Sequence, residues 1–216
     1  MSGTAIFTKV MNRIVMNRIV MNKIAAVVLL SVLLGACSGS EEEHHHVTSD
    51  DSRQEMTGSE AGEFRATVPV SDEIAGAFDA VINDYLNLTG GLVESDPSKA
   101  SDEAERLHES VDRLVQLDAD PELQTRFETW TAVLLERSES MANASDVEEQ
   151  RGDYEHLSET MITMVEVIGH GQGTLYHQRC PMVNGGNGDW LSAREQILNP
   201  YHGNRMLNCG STVQVL

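Results

Sequence analysis

The stretch "SDEIAGAFDAVINDY" (residues 71–85) decides the fold class of this chain. Ser71 followed by two acidic residues is typical of a helix N-cap and first turn. Apolar residues then recur three and four positions apart, which is the spacing of one helix face: Ile74, Ala77, Phe78, Val81, Ile82 and Tyr85. The pattern predicts an amphipathic helix that begins at Ser71 and ends at the Gly90-Gly91 pair.

Three further stretches repeat this periodicity at helical length. They cover roughly residues 98–117, 121–143 and 145–168. Pro121 suits the first position of its helix, and the same helix places Trp130 on its apolar stripe, so Trp130 is predicted to be core. Four amphipathic helices joined by short loops predict a mainly α fold, an up-down four-helix bundle.

Residues 174–216 break the helical pattern. The segments "TLYHQRC" and "STVQVL" predict two short strands that could pair as a small β-ribbon. Between them, "WLSAREQIL" predicts one or two helical turns, and the remainder is rich in Gly, Asn and Pro. The chain is therefore expected to end in an irregular segment that follows the bundle within one domain, residues 67–216.

The N-terminal region reads as an export signal. Residues 21–37, "MNKIAAVVLLSVLLGAC", have a basic start, a short apolar core and small residues before Cys37. The ending resembles a bacterial lipobox, which implies lipid on Cys37; the alternative is a soluble exported protein cut near Ala36. Residues 1–36 are thus predicted to be a signal peptide, and a repeat upstream suggests Met21 as the true start.

Charge limits the kinds of partner. All 34 acidic residues follow Cys37, and four of the 15 basic residues precede it, so the mature part carries 11 − 34 = −23. Nucleic-acid binding is disfavoured, because it requires a basic patch. Residues 37–66 are acidic, contain His44–His46 and have few large apolar residues, which predicts a disordered tether.

Two sulfur pairs bracket the C-terminal segment. Cys180 and Met182 lie at one end, and Met206 and Cys209 lie at the other. Thiolate and thioether donors favour Cu(I), while Zn(II) or another thiophilic ion also binds cysteine. A return of the chain would bring both pairs into one site, and His177 and His202 are close enough in sequence to add an imidazole. The alternative is a Cys180–Cys209 disulfide, which an exported protein can form.

The C-terminal motifs resemble those of a known family. The patterns Cys-Pro-Met, Trp-Leu-Ser, Asn-Pro-Tyr and Met-Leu-x-Cys-Gly are similar to the tail of a bacterial exported domain of unknown function, family 3347. The matching residues are Tyr176, Cys180, Pro181, Met182, Trp190, Leu191, Ser192, Asn199, Pro200, Tyr201, Gly203, Met206, Leu207, Cys209 and Gly210. The resemblance implies copper or related metal handling, because similar domains occur fused to adaptor subunits of heavy-metal efflux systems. One departure is His202, where the family has an aromatic residue.

These observations predict a lipid-anchored protein on the periplasmic face of a bacterial membrane, the outer membrane being favoured. Its expected role is to capture, buffer or transfer a soft metal, with a heavy-metal efflux component as a partner. No nucleophile–base pair, phosphate loop or metalloprotease motif occurs in the sequence, so catalysis is not expected. The alternative is an interaction module whose disulfide-stapled tail docks onto an efflux or envelope partner.

Overall fold

The computed structural model describes residues 68–183, 185 and 188–216. The predicted signal peptide, the lipidation site Cys37 and the tether at 37–66 lie outside this part of the chain. The described residues form four helices and then three short strands. Their bounds are α1 Asp72–Glu94, α2 Pro97–Val115, α3 Pro121–Asn143, α4 Val147–Ile168, β1 Tyr176–Cys180, β2 Gly188–Ser192 and β3 Ser211–Val215, with a 3-10 turn at Gly203–Arg205.

The helix ends follow local capping chemistry. The Ser71 hydroxyl accepts a hydrogen bond from the N–H of Ile74 at 3.3 Å, as the sequence predicts for the start of α1. The carboxylates of Asp96 and Asp146 each accept two backbone N–H bonds at the starts of α2 and α4. Gly169, with φ at 81°, ends α4, because glycine adopts positive φ without steric cost.

The helices form the predicted bundle. Each helix packs against the next in sequence, and α4 packs back against α1. Their facing sides bury large apolar residues in one core, including Phe78, Leu107, Phe127 and Leu157. The prediction of a mainly α, four-helix bundle is confirmed. Among residues 68–183, 185 and 188–216, no helix combines the length and the apolar character that crossing a membrane requires.

The predicted end of α1 is wrong. The helix passes through Gly90 and Gly91 and continues to Glu94, with Ser95 in the left-handed region at φ 57°. Gly91 faces the start of α2, where a Cβ at this position would lie 3.0 Å from the backbone N of Ala100. The glycine therefore permits two helix backbones to approach closely, and it does not terminate the helix.

The prediction that Trp130 is core is also wrong. Trp130 is half-buried at the margin of the core, whereas its neighbours Phe127 and Leu134 are fully enclosed. The guanidinium of Arg126 lies 4.8 Å from the centre of the Trp130 ring, in cation–π geometry. The large fully buried tryptophan is Trp190, in the C-terminal tail.

The tail, residues 174–216, forms a three-stranded antiparallel sheet with the order β2-β1-β3. The predicted pairing of the first and last strands is confirmed. The predicted helical turns in "WLSAREQIL" are wrong, because Gly188–Ser192 pairs with β1 as a strand and residues 193–198 are not helical. The Gln178 side-chain amide donates to the carbonyls of Arg194 and Glu195 at 2.9 and 3.0 Å, which holds these residues in an irregular path.

Candidate metal centre

The structure brings together the two cysteines of the tail. Cys180 is the last residue of β1, and Cys209 precedes β3 by two residues. Because β1 and β3 are antiparallel, with Arg179 opposite Ser211, the chain segments that carry the cysteines meet at one end of the sheet. The two Sγ atoms are 3.4 Å apart, and both thiols are free. Cys180 is fully buried, and Cys209 is half-buried.

Two glycines allow the chain segments that carry the thiols to pack closely against their neighbours. Gly188 lies opposite Cys180 on β2, so no side chain projects from the partner position. Gly210 follows Cys209 at φ 147°, and a Cβ there would lie 2.9 Å from the Arg179 carbonyl and 3.0 Å from the Trp190 ring. Only glycine fits this contact without a shift of backbone or ring, so Gly210 fixes the position of Cys209 beside β1.

The two candidate methionines point to solvent. Met182 is 63% exposed and Met206 is 37% exposed. Neither belongs to the apolar core of the described residues. Each lies within three residues of a thiol, and Cys209 donates its N–H to the Met206 carbonyl at 3.0 Å. Exposed thioethers this close in sequence to the thiols are accessible to an incoming ion.

His177 is engaged elsewhere. Its Nε2 lies 2.5 Å from Asp189 Oδ1, and Arg179 binds the same carboxylate at 2.8 and 3.0 Å. Along β1, His177 is three residues from Cys180, so the alternation of a strand places the two side chains on opposite faces. The structure therefore separates His177 from the thiols and places it against Asp189, whose carboxylate Arg179 also binds.

Unlike His177, His202 has a ring nitrogen that is buried without a described partner. Its Nε2 is buried, and it has no hydrogen-bond partner among the residues that the structure describes. Its backbone N–H donates to the Asn199 side chain at 3.2 Å, and the Asn199 amide donates to the Cys209 carbonyl at 2.9 Å. Asn199 thus connects the loop of His202 to the loop of Cys209, although the imidazole itself is not brought against the thiols by any described contact.

The distance between the two sulfurs is longer than in a disulfide and shorter than in a site where both thiolates bind one metal ion. A disulfide requires about 2.05 Å between the sulfurs. Two thiolates on one ion, with metal–sulfur bonds of about 2.3 Å, lie between about 3.8 Å for tetrahedral and about 4.6 Å for linear geometry. From 3.4 Å, metal binding requires the thiols to separate slightly, and oxidation requires them to approach.

Without a metal, the environment of the pair favours the protonated form of the Cys209 thiol. The hydrogen bond with Cys180 raises the pKa of the Cys209 thiol above its ordinary value, and burial adds to this shift. A metal ion that binds here must displace the protons, because the thiolate is the ligand form. Within the described part of the chain, no group of three or more His, Cys, Asp and Glu residues is arranged to hold a metal ion.

Several residues that hold the tail in place were not found from the sequence. The buried hydroxyl of Tyr85 accepts a hydrogen bond from the Leu191 N–H at 3.1 Å, and the Tyr201 hydroxyl donates to the Asp189 carbonyl at 2.5 Å. Arg151 donates to the carbonyls of Pro200 and Leu92 at 2.8 and 3.0 Å. The Asn-Pro-Tyr motif was the available signal, since its three residues are all buried at this junction.

Comparisons with known proteins support the family resemblance from another part of the chain. Residues 81–173 match the family model described as "Protein of unknown function (DUF3347)". Neither the search of curated proteins nor the search of solved structures found a match. The matched range ends at Gly173, immediately before the tail whose motifs suggested the family. It is therefore through its helical bundle that this chain is similar to the DUF3347 family.

Proposed function

We propose that this chain is an exported lipoprotein that captures, buffers or transfers a soft metal ion, with Cu(I) as the favoured cargo. The observation that carries the proposal is the free thiol pair Cys180 and Cys209, 3.4 Å apart at one end of the tail sheet. The lipobox-like sequence before Cys37 supports attachment to the periplasmic face of a membrane. The implied partner, from the family resemblance, is a component of heavy-metal efflux.

The donor set favours Cu(I) over Zn(II). Structural zinc sites are almost always four-coordinate, and only two thiols converge among the described residues. Cu(I) prefers soft sulfur ligands and accepts fewer of them, so two thiolates and an exposed thioether would suffice. Met182 and Met206 are the thioethers available for that role, and they could also pass an ion to or from a partner.

The difference in exposure between the two cysteines sets the order in which an ion would bind them. Because Cys180 is fully buried and Cys209 is not, an incoming ion would meet the Cys209 sulfur first. The ion would displace the Cys209 proton and then, as it engages Cys180, the proton of that thiol as well. A loop cysteine can move outward more easily than a residue in the ladder of β1, so the small separation that binding requires would come from Cys209.

The second candidate is the structural disulfide. A spacing of 3.4 Å between two free thiols also suits oxidation, and the bridge would close a loop of about 30 residues, worth about 3.6 kcal/mol by the chain-entropy model. In that case the protein would be a non-catalytic interaction module, and its tail would dock onto an efflux or envelope partner. The state of the thiols in the exported protein separates the two candidates.

An anaerobic Cu(I) titration of the reduced protein, against a competing chelator, tests the proposal. We expect about one ion per chain, with tight binding abolished by Cys180→Ser or Cys209→Ser. Met182→Leu and Met206→Leu should weaken Cu(I) more than Zn(II), since a neutral thioether suits the softer ion. Met161→Leu, which changes a methionine buried in the bundle, is the matched control and should have no effect.

X-ray absorption at the copper edge identifies the donors. Sulfur neighbours support the site, and a spectrum with nitrogen and oxygen neighbours alone would contradict it. His202→Ala should have a smaller effect than either cysteine change, and His177→Ala should have the smallest, because His177 is held by Asp189. The disulfide candidate makes the opposite forecast: two thiols missing in the native protein, no copper bound after mild reduction, and silent methionine variants.

A further inference from the structure

Asn199 is a fully buried polar residue whose backbone and side chain both make hydrogen bonds. Its backbone N–H donates to the Leu207 carbonyl at 2.8 Å, and its carbonyl accepts from the Gly203 N–H at 2.9 Å. Its side-chain Oδ1 accepts from the backbone N–H groups of Tyr201 and His202 at 2.9 and 3.2 Å. These bonds alone close the loop from Asn199 to Leu207, so the side-chain Nδ2 is left for another partner.

The partner of Nδ2 is the backbone carbonyl of Cys209, at 2.9 Å. Cys209 precedes β3, whose pairing with β1 begins with Ser211 opposite Arg179, so the ladder of strands does not hold its backbone. The Cys209 N–H donates to the carbonyl of Met206, in the same loop, at 3.0 Å. Both polar groups of the Cys209 backbone are therefore bonded to the loop that Asn199 closes.

The loop is in turn bonded to the helical bundle. The Pro200 carbonyl accepts from Arg151 Nε at 2.8 Å, and the same guanidinium donates to the Leu92 carbonyl at 3.0 Å. Arg151, on α4, is 6% exposed, so these bonds are shielded from competing water. Asn199, the residue before Pro200, thus connects a fixed point on α1 and α4 to the backbone of Cys209.

We propose that Asn199 is a positioning residue that holds the Cys209 sulfur in contact with the Cys180 sulfur. Cys180 is fixed by the sheet, as the last residue of β1 opposite Gly188. Cys209 has no register partner on β1, and its bond to Asn199 supplies the constraint that the sheet does not. As an aid to metal binding this role rests on the proposed function, but the positioning can be tested without a metal.

The role depends on the side chain being an amide, which offers an acceptor and a donor on one short planar group. Asn199→Asp keeps the acceptor for Tyr201 and His202. It also brings a carboxylate oxygen against the Cys209 carbonyl, where two acceptors repel and neither is satisfied. The substitution therefore removes the bond to Cys209 and leaves the other bonds of the loop in place.

A double-mutant cycle on the reduced, metal-free full chain tests the proposal. Cys180→Ala should speed the alkylation of Cys209 at least about threefold at a fixed, mildly alkaline pH, because it removes the neighbouring thiol. In the Asn199→Asp background the same substitution should change that rate by less than about 1.5-fold, because the sulfurs are no longer in contact. Any effect of the new carboxylate on the thiol is common to both arms and cancels.

Gln150→Glu is the matched control, since it changes another fully buried amide, within the bundle. In that background Cys180→Ala should keep its full effect on Cys209. An effect that persists in the Asn199→Asp background overturns the proposal. So does its loss in the control background, or a Cys180→Ala substitution that has no effect in the otherwise unaltered chain.

Two further measurements keep the test decisive. If Asn199→Asp fails to fold, nitrogen-15 NMR of the unaltered chain should show the Asn199 side-chain amide protected from solvent exchange, and free exchange overturns the proposal. Asn199→Asp should weaken Cu(I) binding about fivefold to tenfold, the effect of one lost hydrogen bond, and an unchanged affinity overturns its role in metal binding. An unaltered chain that binds no Cu(I) contradicts the proposed function, while the alkylation cycle still decides the positioning.

Discussion

The bundle and the tail share one apolar core, and they differ in what each adds to it. In the bundle, the described helices bury a continuous apolar core, and their exposed faces carry no large apolar side chain. The tail contributes Trp190 and Leu191 to the same core, and it is also attached by hydrogen bonds from buried polar groups, namely the Tyr85 and Tyr201 hydroxyls and the Arg151 guanidinium. Among residues 68–183, 185 and 188–216, the four exposed large apolar residues all lie in the tail: Met182, Met206, Val213 and Val215.

The bundle therefore acts as a scaffold, and the tail carries the candidate site. Apolar burial fixes the helices without specifying chemistry, because any well-packed core of similar volume would do so. Hydrogen bonds are directional, so the tyrosines and Arg151 can position the strand β2 and the Asn-Pro-Tyr loop relative to α1 and α4. The half-buried Cys209 and the exposed side chains of the tail are thereby held on a rigid support, as a binding site requires.

The two tryptophans give the largest expected effect. Trp190 is fully buried, packs edge-on to Tyr201 at 6.2 Å between ring centres, and contacts the Gly210 position. Trp190→Ala should reduce the free energy of unfolding by about 3–5 kcal/mol, through a cavity beside the thiol pair. Trp130→Ala removes a half-buried ring and should cost less, about 1 kcal/mol.

Denaturant melts of both tryptophan variants make this measurement. If the Trp130 variant lost as much stability as the Trp190 variant, the assignment of Trp130 to the margin of the core would be wrong. The free thiols supply a second reading, because loss of Trp190 should accelerate alkylation of Cys180, which is now fully buried. Loss of Trp130, in the bundle, should leave that rate unchanged.

The adjacent glycines of α1 provide an internal control within the bundle. A Cβ at Gly90 meets no atom within 4 Å, whereas a Cβ at Gly91 lies 3.0 and 3.1 Å from backbone atoms of Ala100. Gly90→Ala should raise the free energy of unfolding by about 0.5–1 kcal/mol, since alanine favours the helix. Gly91→Ala should lower it by about 1 kcal/mol, because α1 and α2 must separate.

Thermal or denaturant unfolding of the two glycine variants measures this difference, and the two changes in the free energy of unfolding should have opposite signs. Equal stabilisation by both substitutions would mean that α2 can shift without cost and that Gly91 is not needed for close packing. Neither variant should change copper binding, since both positions belong to the scaffold and not to the thiol site. A change in copper binding would show that the bundle and the tail are coupled.

The features that could be predicted from the sequence are those that depend on apolar periodicity and on helix capping. The four helices, the N-cap Ser71 and the end of the fourth helix near residue 168 all depend on local spacing and capping, which one sequence contains. The end of α1 was mispredicted because Gly90 and Gly91 satisfy the pattern of a helix stop equally well. Whether such a pair ends a helix or admits a neighbour depends on where Ala100 lies, and that is a tertiary contact.

The candidate site was predictable in its cysteines and not in its surroundings. Strand patterns on either side of the turns indicated that the chain returns, which places Cys180 near Cys209. The spacing contained no sign that His177 would bind Asp189 or that Tyr85 would meet β2, since those partners are 12 and 106 residues apart. "WLSAREQIL" has the composition of a short helix, but pairing with β1 and the Gln178 bonds override that preference.

The smallest expected effect concerns the thiol contact itself. The hydrogen bond with Cys180 raises the pKa of Cys209, so Cys180→Ala should move that pKa down towards the ordinary thiol value. At a fixed, mildly alkaline pH, alkylation of Cys209 should then become faster, because more of it is thiolate. Cys180→Ser keeps a polar partner and should shift the pKa less. Mass spectrometry of the Cys209 peptide across a pH series measures the rate apart from those of Cys37 and Cys180.

The same contact gives stability and metal binding opposite pH dependences. A group whose pKa is raised in the folded state stabilises the protein below its unfolded pKa, and that contribution is lost as pH rises through the folded pKa. The metal-free protein should therefore lose a small part of its stability as pH rises above the ordinary thiol range. Copper binding should strengthen over the same interval, since both thiols must ionise. An alkylation profile of Cys209 that Cys180→Ala leaves unchanged would show that the two sulfurs do not share a proton in solution.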